Sequence, residues 1–557
     1  MSAMKMTKSI SIVRSLLAPA LGMFLAAAAH AAVPGINGTG TVATFNLDAN
    51  SAFLNQPDGE QVYSWGYGCT TTPSAANFLP SAIASATCST MQVPGPTLIV
   101  TEGQTITVVL TNNLPSAAGN TSILFPGFNV TATGGVQGLL TTEAAHAGTV
   151  TYSFVASSPG THAYYSGTQG DLQVEMGLYG AVVVLPSGNA TVTAACGTLS
   201  AGGLPATNPG NNRAARAHWG EVDFRLAAAA YDHPRSCYER EYLFQWAEMD
   251  PNIHRAALAQ VTASGSCVAG ALGCSLNVPT EPYHPAYFVI NGRSMPDLMD
   301  CNYAGEYPHQ PYNGNPHMHP GELTLIRSIG QGRWQHPFHE HANHVRILGK
   351  DGNMILAPDG TDLAGLLMFN TDTTPGEAFD GIFYFTGRGL NWDPYGHHAG
   401  DTADATASLP CTPDNNGYNT GAPTAINYYE WCQDHNKPLE VSPIGDVGGG
   451  GPATLPDPNI FTNGPWYGGT PYLGPDATLR GGGNQACLTG TSAGAGSSVC
   501  STLQPSNIQA NPGDERGWAY MWHSHNEREI TTNNVFPGGM LMMMLVDSRE
   551  FVIDEAK

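Results

Sequence analysis

The sequence predicts an all-β protein, and three observations lead to this prediction. Charged residues make up only 12% of the 557 residues, whereas 66 are glycine and 41 are proline, which is typical of a chain with many turns. Segments rich in β-branched and aromatic residues recur along the chain, as at residues 98–100, 105–110 and 241–246. Stretches with the period of an amphipathic helix are few. A chain of this length has room for two to four domains, each with its own core.

Residues 1–31 have the organisation of a secretory signal peptide. Lys5, Lys8 and Arg14 accompany an apolar stretch, and Ala29-His30-Ala31 supplies small residues for cleavage. The apolar stretch is too short to span a bilayer comfortably, so we expect no membrane span after signal cleavage. A periplasmic or secreted location follows.

The net charge and the cysteine content limit the possible binding partners and the cellular compartment of the protein. The formal net charge is −23, which argues against nucleic acid and anionic membranes as partners because both select basic surfaces. Eleven cysteines in an exported chain indicate disulfides. Neighbours in sequence suggest five bridges, with Cys301 left over: Cys69–Cys88, Cys196–Cys237, Cys267–Cys274, Cys411–Cys432 and Cys487–Cys500.

The chain divides into two β-rich parts. Residues 33–187 form the first, a linker rich in Gly, Ala, Asn and Pro covers 188–217, and residues 218–557 form the second. A weak internal repeat relates the two parts, except that about 120 residues of the second, roughly 387–510, have no counterpart in the first. That Gly- and Cys-rich segment reads as an insertion. The alternative is a third domain at 400–557.

Two histidine motifs carry the candidate chemistry. One is His336-Pro337-Phe338-His339-Glu340-His341, and the other is His523-Ser524-His525, which precedes the apolar run 540–546. Alternate side chains of a strand lie on the same face. His339 and His341 are therefore expected to point to one side, and so are His523 and His525. Imidazole is a ligand for copper, zinc, iron and nickel, and copper has the highest intrinsic affinity for such nitrogen sites.

These motifs, with Gly177-Leu178-Tyr179-Gly180 before a β-branched strand, resemble the multicopper oxidases. The last domain of that family carries a His-Pro-x-His-x-His motif and a His-Cys-His motif. The resemblance implies tandem cupredoxin-like Greek-key β-sandwich or barrel domains, and copper as the cofactor. It also implies the following metal ligands: His336, His339, His341, His523 and His525.

The chain departs from the family at both types of copper site. Ser524 stands where the blue copper has its thiolate ligand, and Glu529 stands where that copper has its second histidine. The family also has a three-copper cluster, to which the first domain contributes four histidines. At those four positions this chain has Leu124, Pro126, Tyr165 and Gly167. We therefore expect degenerate copper sites, no intense blue colour and no laccase mechanism.

Three functions are compatible with these residues. The first is an exported multicopper-oxidase-like protein that binds copper through its C-terminal cupredoxin domain and acts as a non-laccase oxidoreductase on a metal ion or a small reductant. The second is a non-catalytic cupredoxin scaffold for protein binding or assembly through the insertion, with no cofactor if the histidines are relics. The third is periplasmic copper sequestration or delivery. Two-domain relatives in the family form trimers, which suggests a homotrimer.

Two further segments have structural interpretations. His309, His317 and His319 lie in a Pro-, Asn- and Gly-rich stretch that predicts a solvent-exposed loop, with a secondary copper or nickel patch at His317, Met318 and His319 as the alternative. The run Met540–Met544 predicts a buried final strand that uses methionine as a core filler.

Overall fold

The computed structural model describes residues 33–197 apart from 82, 84 and 85, residues 223–385, parts of 410–432, residues 469–472 and 517–547, and residue 553. The predicted signal peptide and most of the predicted insertion lie outside the described residues. Three α-helices lie within the described residues: α1 (Gly170–Gln173), α2 (Ala190–Cys196) and α3 (Pro251–Ser264).

The described strands of the first half, in chain order, are β1 (Gly35–Asn37), β2 (Val42–Asn55), β3 (Gln61–Cys69), β4 (Phe78–Leu79), β5 (Leu98–Thr101), β6 (Thr105–Asn112), β7 (Thr131–Gly134), β8 (Val136–Gln137), β9 (Thr142–Glu143), β10 (Thr149–Val155), β11 (Gly160–Tyr165) and β12 (Tyr179–Leu185). Those of the second half are β13 (Arg240–Met249), β14 (Tyr287–Ile290), β15 (His317–Met318), β16 (Thr324–Gly330), β17 (His336–Glu340), β18 (Val345–Lys350), β19 (Asn353–Met354), β20 (Leu367–Met368), β21 (Asn370–Thr373), β22 (Ala378–Phe383), β23 (Gly469–Tyr472), β24 (Gly517–Ser524) and β25 (Leu541–Asp547).

The first half contains two five-stranded sheets. Their strand orders are β11-β12-β5-β1-β4 and β3-β2-β6-β10-β7. β5 and β6 belong to different sheets, because the turn at Gly103, which has a positive φ, carries the chain across. Along β6, Ile106, Val108 and Leu110 are buried while the residues between them are half-buried. This alternation puts one apolar face of the sheet into the core.

The second half is also built from two sheets. One has the order β14-β13-β16-β22-β18-β19, with β20 on β18, and the other has the order β15-β25-β24-β17-β21, with β23 on β24. β24 and β25 form an antiparallel pair. Met540, Met542 and Met544 are buried in the core with Phe338 and Trp522, which confirms the use of methionine as a core filler.

The prediction of an all-β chain with tandem cupredoxin-like Greek-key β-sandwiches is confirmed by this architecture. β24 and β25, which follow the long unmatched segment, share a sheet with β15, β17 and β21. The domain boundaries, and the choice between two and three domains, stay predictions.

A buried polar network joins the two halves. Asp380, in β22, accepts hydrogen bonds from the backbone N–H of Thr161 at 3.0 Å and from its hydroxyl at 2.6 Å. The Asp380 carboxylate also accepts a bond from the Tyr231 hydroxyl at 2.7 Å and lies 3.3 Å from the Arg327 guanidinium. Arg327 is in turn paired with Glu241 at 2.9 Å. Because Thr161 lies in β11, these contacts fix the first half against the second.

Four of the five predicted disulfides are present: Cys69–Cys88, Cys196–Cys237, Cys267–Cys274 and Cys411–Cys432. The predicted Cys487–Cys500 bridge lies outside the described residues. Among the described residues, no helix is long and apolar enough to cross a membrane.

One prediction about the histidines is wrong. His317 and His319 are buried rather than exposed in a loop. The physical reason is that His317 and Met318 form β15, which pairs in parallel with β25 at the edge of the second-half sheet. A pairing between such distant segments is not visible in the local composition.

Candidate metal centre

Three histidines converge at the junction of β17 and β24. His339 lies in β17, His523 lies in β24, and the two are directly opposite in the antiparallel ladder. His341 follows the end of β17, and one nitrogen from each of the three rings lies within 4.8 Å of the others. Nε2 of His341 lies 3.1 Å from Nε2 of His523. We call these residues the histidine triad.

Backbone carbonyls orient two of the three rings. Nδ1 of His339 donates to the carbonyl of Phe369, and Nδ1 of His523 donates to the carbonyl of Ser524 at 2.7 Å. Such a bond on one ring nitrogen selects the tautomer in which the other nitrogen, Nε2, has its lone pair available for a metal.

Burial keeps these rings neutral. Burial, with the neighbouring His523 and His525, lowers the pKa of His339 to about 4. Burial likewise lowers the pKa of His523. Neutral imidazole is the form that binds metals, so His339 and His523 are prepared for coordination at neutral pH.

One pair of nitrogens in the triad has the spacing of two ligands on one metal ion. Two imidazole nitrogens on a tetrahedral ion, each at about 2.0 Å from it, lie about 3.3 Å apart. The 3.1 Å between the Nε2 atoms of His341 and His523 is close to that value. His525 is exposed, and its ring centroid lies 4.9 Å from that of His339 and 5.9 Å from that of His523. His525 therefore lies beside the triad.

His336, the fifth histidine of the motifs, is separate from the other four. Its ring is fully buried, with Nδ1 2.8 Å from a carboxylate oxygen of Glu529 and Nε2 2.8 Å from one of Glu248. Burial alone would lower the pKa of His336, but the hydrogen bonds and charges of Glu248 and Glu529 outweigh it and raise the pKa to about 9. His336 is thus an imidazolium that donates from both nitrogens.

This charge predicts a pH dependence of stability. The folded-state pKa of His336, about 9, is above the unfolded value of about 6.5, so the ion pair stabilises the fold fully below pH 6.5 and less as pH rises through 9. We expect His336 to contribute on the order of 3 kcal/mol to the loss of unfolding free energy between pH 6 and pH 10. Urea unfolding at several pH values should show a flatter profile for His336→Gln than for the wild type. The exposed His284→Gln is the control and should keep the wild-type slope.

Sequence reasoning missed Glu248. This residue lies in β13 and is fully buried, and its second oxygen accepts hydrogen bonds from the backbone N–H groups of Arg333 and Trp334 at 2.7 and 2.9 Å. The available signal was a carboxylate inside the apolar segment 242–249, because a charged residue in a buried strand requires a partner.

The first-half positions that the resemblance singled out contain apolar packing. Leu124 and Tyr165 form an antiparallel bridge, with the Leu124 N–H donating to the Tyr165 carbonyl at 2.7 Å. A Cβ placed on Gly167 would lie 2.8 Å from the Leu124 side chain. Tyr165 packs against a cluster that includes Ile329 and Ala378 of the second half. These side chains supply no imidazole to a shared metal cluster.

Comparisons with known proteins place part of the chain in a family. Residues 71–189 match the family model described as multicopper oxidase. The blue copper oxidase from Nitrosomonas europaea is 13% identical over 90% of this chain and 85% of that chain, with a TM-score of 0.40. The multicopper oxidase mgLAC is 13% identical over 92% and 88%, with a TM-score of 0.41. A copper nitrite reductase from Nitrosomonas europaea is 16% identical over 62% and 85%, with a TM-score of 0.35.

No curated protein sequence matches the chain. The matched segment, 71–189, contains Leu124 and Tyr165, so it is the half that lacks the cluster histidines. The family-model match identifies a multicopper oxidase domain at residues 71–189 of this chain.

Proposed function

We propose that the protein binds copper at the histidine triad, with His525 as a fourth ligand, and works as a non-laccase oxidoreductase on a metal ion or a small reductant. The observation that carries this proposal is the convergence of three imidazole nitrogens within 4.8 Å. The donor set consists of imidazole nitrogens, for which copper has the highest affinity among the common divalent metals. The multicopper oxidase domain in the same chain supports the choice of copper.

The proposed location is the periplasm or the extracellular space. Four disulfides within the described residues support it, because such bonds persist in oxidising compartments. The signal-peptide pattern of residues 1–31 supports it as well. A homotrimer, or a partner bound through the insertion, stays a prediction.

Bound copper would supply one-electron redox chemistry at this site. The chain's own part is to hold the Nε2 atoms in place through the Phe369 and Ser524 carbonyls and to keep the rings neutral. His525, which is exposed, and His341 and His523, which are partly exposed, leave the site open to a small reductant from solvent. The laccase reaction is not proposed, since Ser524 and Glu529 replace two of the blue-copper ligands and the four first-half positions carry no histidine.

Elemental analysis of the protein purified from its own compartment tests copper binding. We expect stoichiometric copper in the wild type and none in His339→Ala/His523→Ala, because the double variant removes two of the three convergent nitrogens. His284→Ala, which changes an exposed histidine outside the site, should retain the metal. Metal-free wild-type protein would contradict the proposal and leave the scaffold function, through the insertion, as the alternative.

Sequestration or delivery of copper is the second candidate. The absence of a thiolate at position 524 favours it, because the path by which electrons enter a multicopper oxidase is then missing. Oxygen-consumption assays with Cu(I), Fe(II) and a hydroquinone on the copper-loaded protein separate the two functions. Turnover that disappears in the double variant supports the oxidoreductase, and bound copper without turnover supports sequestration.

A further inference from the structure

The residues that correspond to the blue-copper site of the family form a different kind of centre. Glu248, His336, Ser524 and Glu529 are all buried, with no more than 2% of any of them exposed. They come from β13, from the start of β17, from the end of β24 and from the short 3₁₀ helix Glu527–Ile530. β13 lies in one sheet of the second half, and β17 and β24 lie in the other. The centre therefore connects the two sheets.

Each polar group in this centre already has a partner within the protein. Both ring nitrogens of His336 donate to carboxylates at 2.8 Å, so neither has a lone pair available for a metal. The Ser524 hydroxyl donates to the same Glu529 oxygen as His336, and the other Glu529 oxygen accepts from the Asn526 side chain at 2.9 Å. The Glu248 oxygen that does not contact His336 accepts hydrogen bonds from two backbone N–H groups and from the Tyr283 hydroxyl, the last at 3.1 Å. The residues present do not fit a mononuclear copper.

The centre is connected directly to the proposed metal ligands. Ser524 lies between His523 and His525, and its carbonyl accepts the Nδ1–H of His523. The backbone N–H of His525 donates to the carbonyl of Pro337, the residue after His336, at 2.8 Å. The Ser524 hydroxyl also accepts the Asn526 N–H at 3.1 Å. The backbone on both sides of Ser524 is thus fixed by contacts that start at His336 and Glu529.

We infer that Glu248, His336 and Glu529 form a metal-free strut, which has replaced a mononuclear copper centre and positions His523 and His525. These three residues are positioning residues, since they act through Ser524 and Pro337 and do not touch the proposed metal. The positioning part of this inference rests on the proposed function. The inference that the centre holds no metal does not rest on the proposed function, because it concerns His336 alone.

Nuclear magnetic resonance of the full chain, labelled with ¹⁵N-histidine and freed of metal, tests both parts. We expect two ring N–H signals from His336, which persist when Zn(II) is added as a diamagnetic probe. Zn(II) should instead shift the signals of the histidine triad. Loss of a His336 ring N–H signal on Zn(II) binding would overturn the inference, because it would show that His336 is a metal ligand.

Glu529→Gln tests the positioning part. It removes the acceptor charge that holds both His336 and Ser524, so we expect shifted ring signals of His523 and His525 and a Kd for Zn(II) raised about tenfold or more. Glu527→Gln changes an exposed carboxylate in the same 3₁₀ helix. This control variant should neither shift the ring signals nor raise the Kd for Zn(II). If Glu529→Gln does not fold, Ser524→Ala removes only the hydroxyl and should move the same signals. Unchanged His523 and His525 signals in the folded variant would overturn the positioning role.

The same measurements separate this inference from the proposed function. If Zn(II) and Cu(II) shift no histidine signal in the wild type, the proposed function is wrong. The inference of a metal-free strut can still be tested in that case. The His336 ring N–H signals and the effect of Glu529→Gln on the His523 signals are both observed without metal.

Discussion

Asp380→Ala is expected to lower the free energy of unfolding by about 3–5 kcal/mol, because it removes one partner of a buried ion pair and leaves a buried charge incompletely compensated. Asp380 accepts bonds from Thr161, Tyr231 and Arg327, and all of these groups are buried. In the variant, Arg327 keeps only Glu241 as its carboxylate partner. The N–H and hydroxyl of Thr161 would also lose their acceptor.

Urea unfolding followed by tryptophan fluorescence measures this loss. Asp372→Ala is the matched control: Asp372 is an exposed aspartate in β21, and its removal should change the free energy by less than about 0.5 kcal/mol. Because Thr161 belongs to the first half and Asp380 to the second, we also expect the variant to unfold in two separated steps. A loss below 1 kcal/mol with a single transition would show that apolar contacts alone hold the halves together.

The fold could be predicted from the sequence where local rules determine it. A run of β-branched residues at 105–110 and a run rich in aromatic residues at 241–246 indicate strands, and β6 and β13 are found there. The period of two in a strand also predicts that His339 and His341 share a face, and their rings are 4.7 Å apart. The pairing of His339 with His523 across the ladder follows from no local rule. It came from the resemblance between the two motifs and those of a known family.

The features that could not be predicted from the sequence depend on contacts between distant segments. His317 and His319 lie in a segment with the composition of a loop, but the pairing of β15 with β25 buries them. Glu248 contacts His336 because β13 crosses the core beneath β17, and no spacing in the chain records that contact. Sequence reasoning identified the lost thiolate at Ser524 and the changed residue at Glu529. It could not show that a second carboxylate, that of Glu248, lies on the far side of the His336 ring.

The carboxylate of Glu529 leads to the largest spectroscopic effect that we expect. Ser524→Cys alone should leave the copper-loaded protein without the intense visible absorption of a Cu(II)–thiolate bond, although it restores the sulfur. In that variant Glu529 still accepts the Nδ1–H of His336 at 2.8 Å, so this ring nitrogen cannot bind the metal. Visible absorption and electron paramagnetic resonance spectra of the copper-loaded variant check this.

Ser524→Cys/Glu529→His should gain the absorption. Ser524 and Nδ1 of His336 both face the same oxygen of Glu529, so the three side chains converge on one point. Without the Glu529 carboxylate, His336 can keep its Nε2–H bond to Glu248 and release Nδ1 to copper, as metal-bound imidazoles commonly do with a carboxylate partner. Ser524→Ala/Glu529→His, which lacks the sulfur, is the control and should stay colourless. Intense colour in the Ser524→Cys single variant would mean that copper displaces the His336 proton unaided, and the metal-free strut would then be wrong.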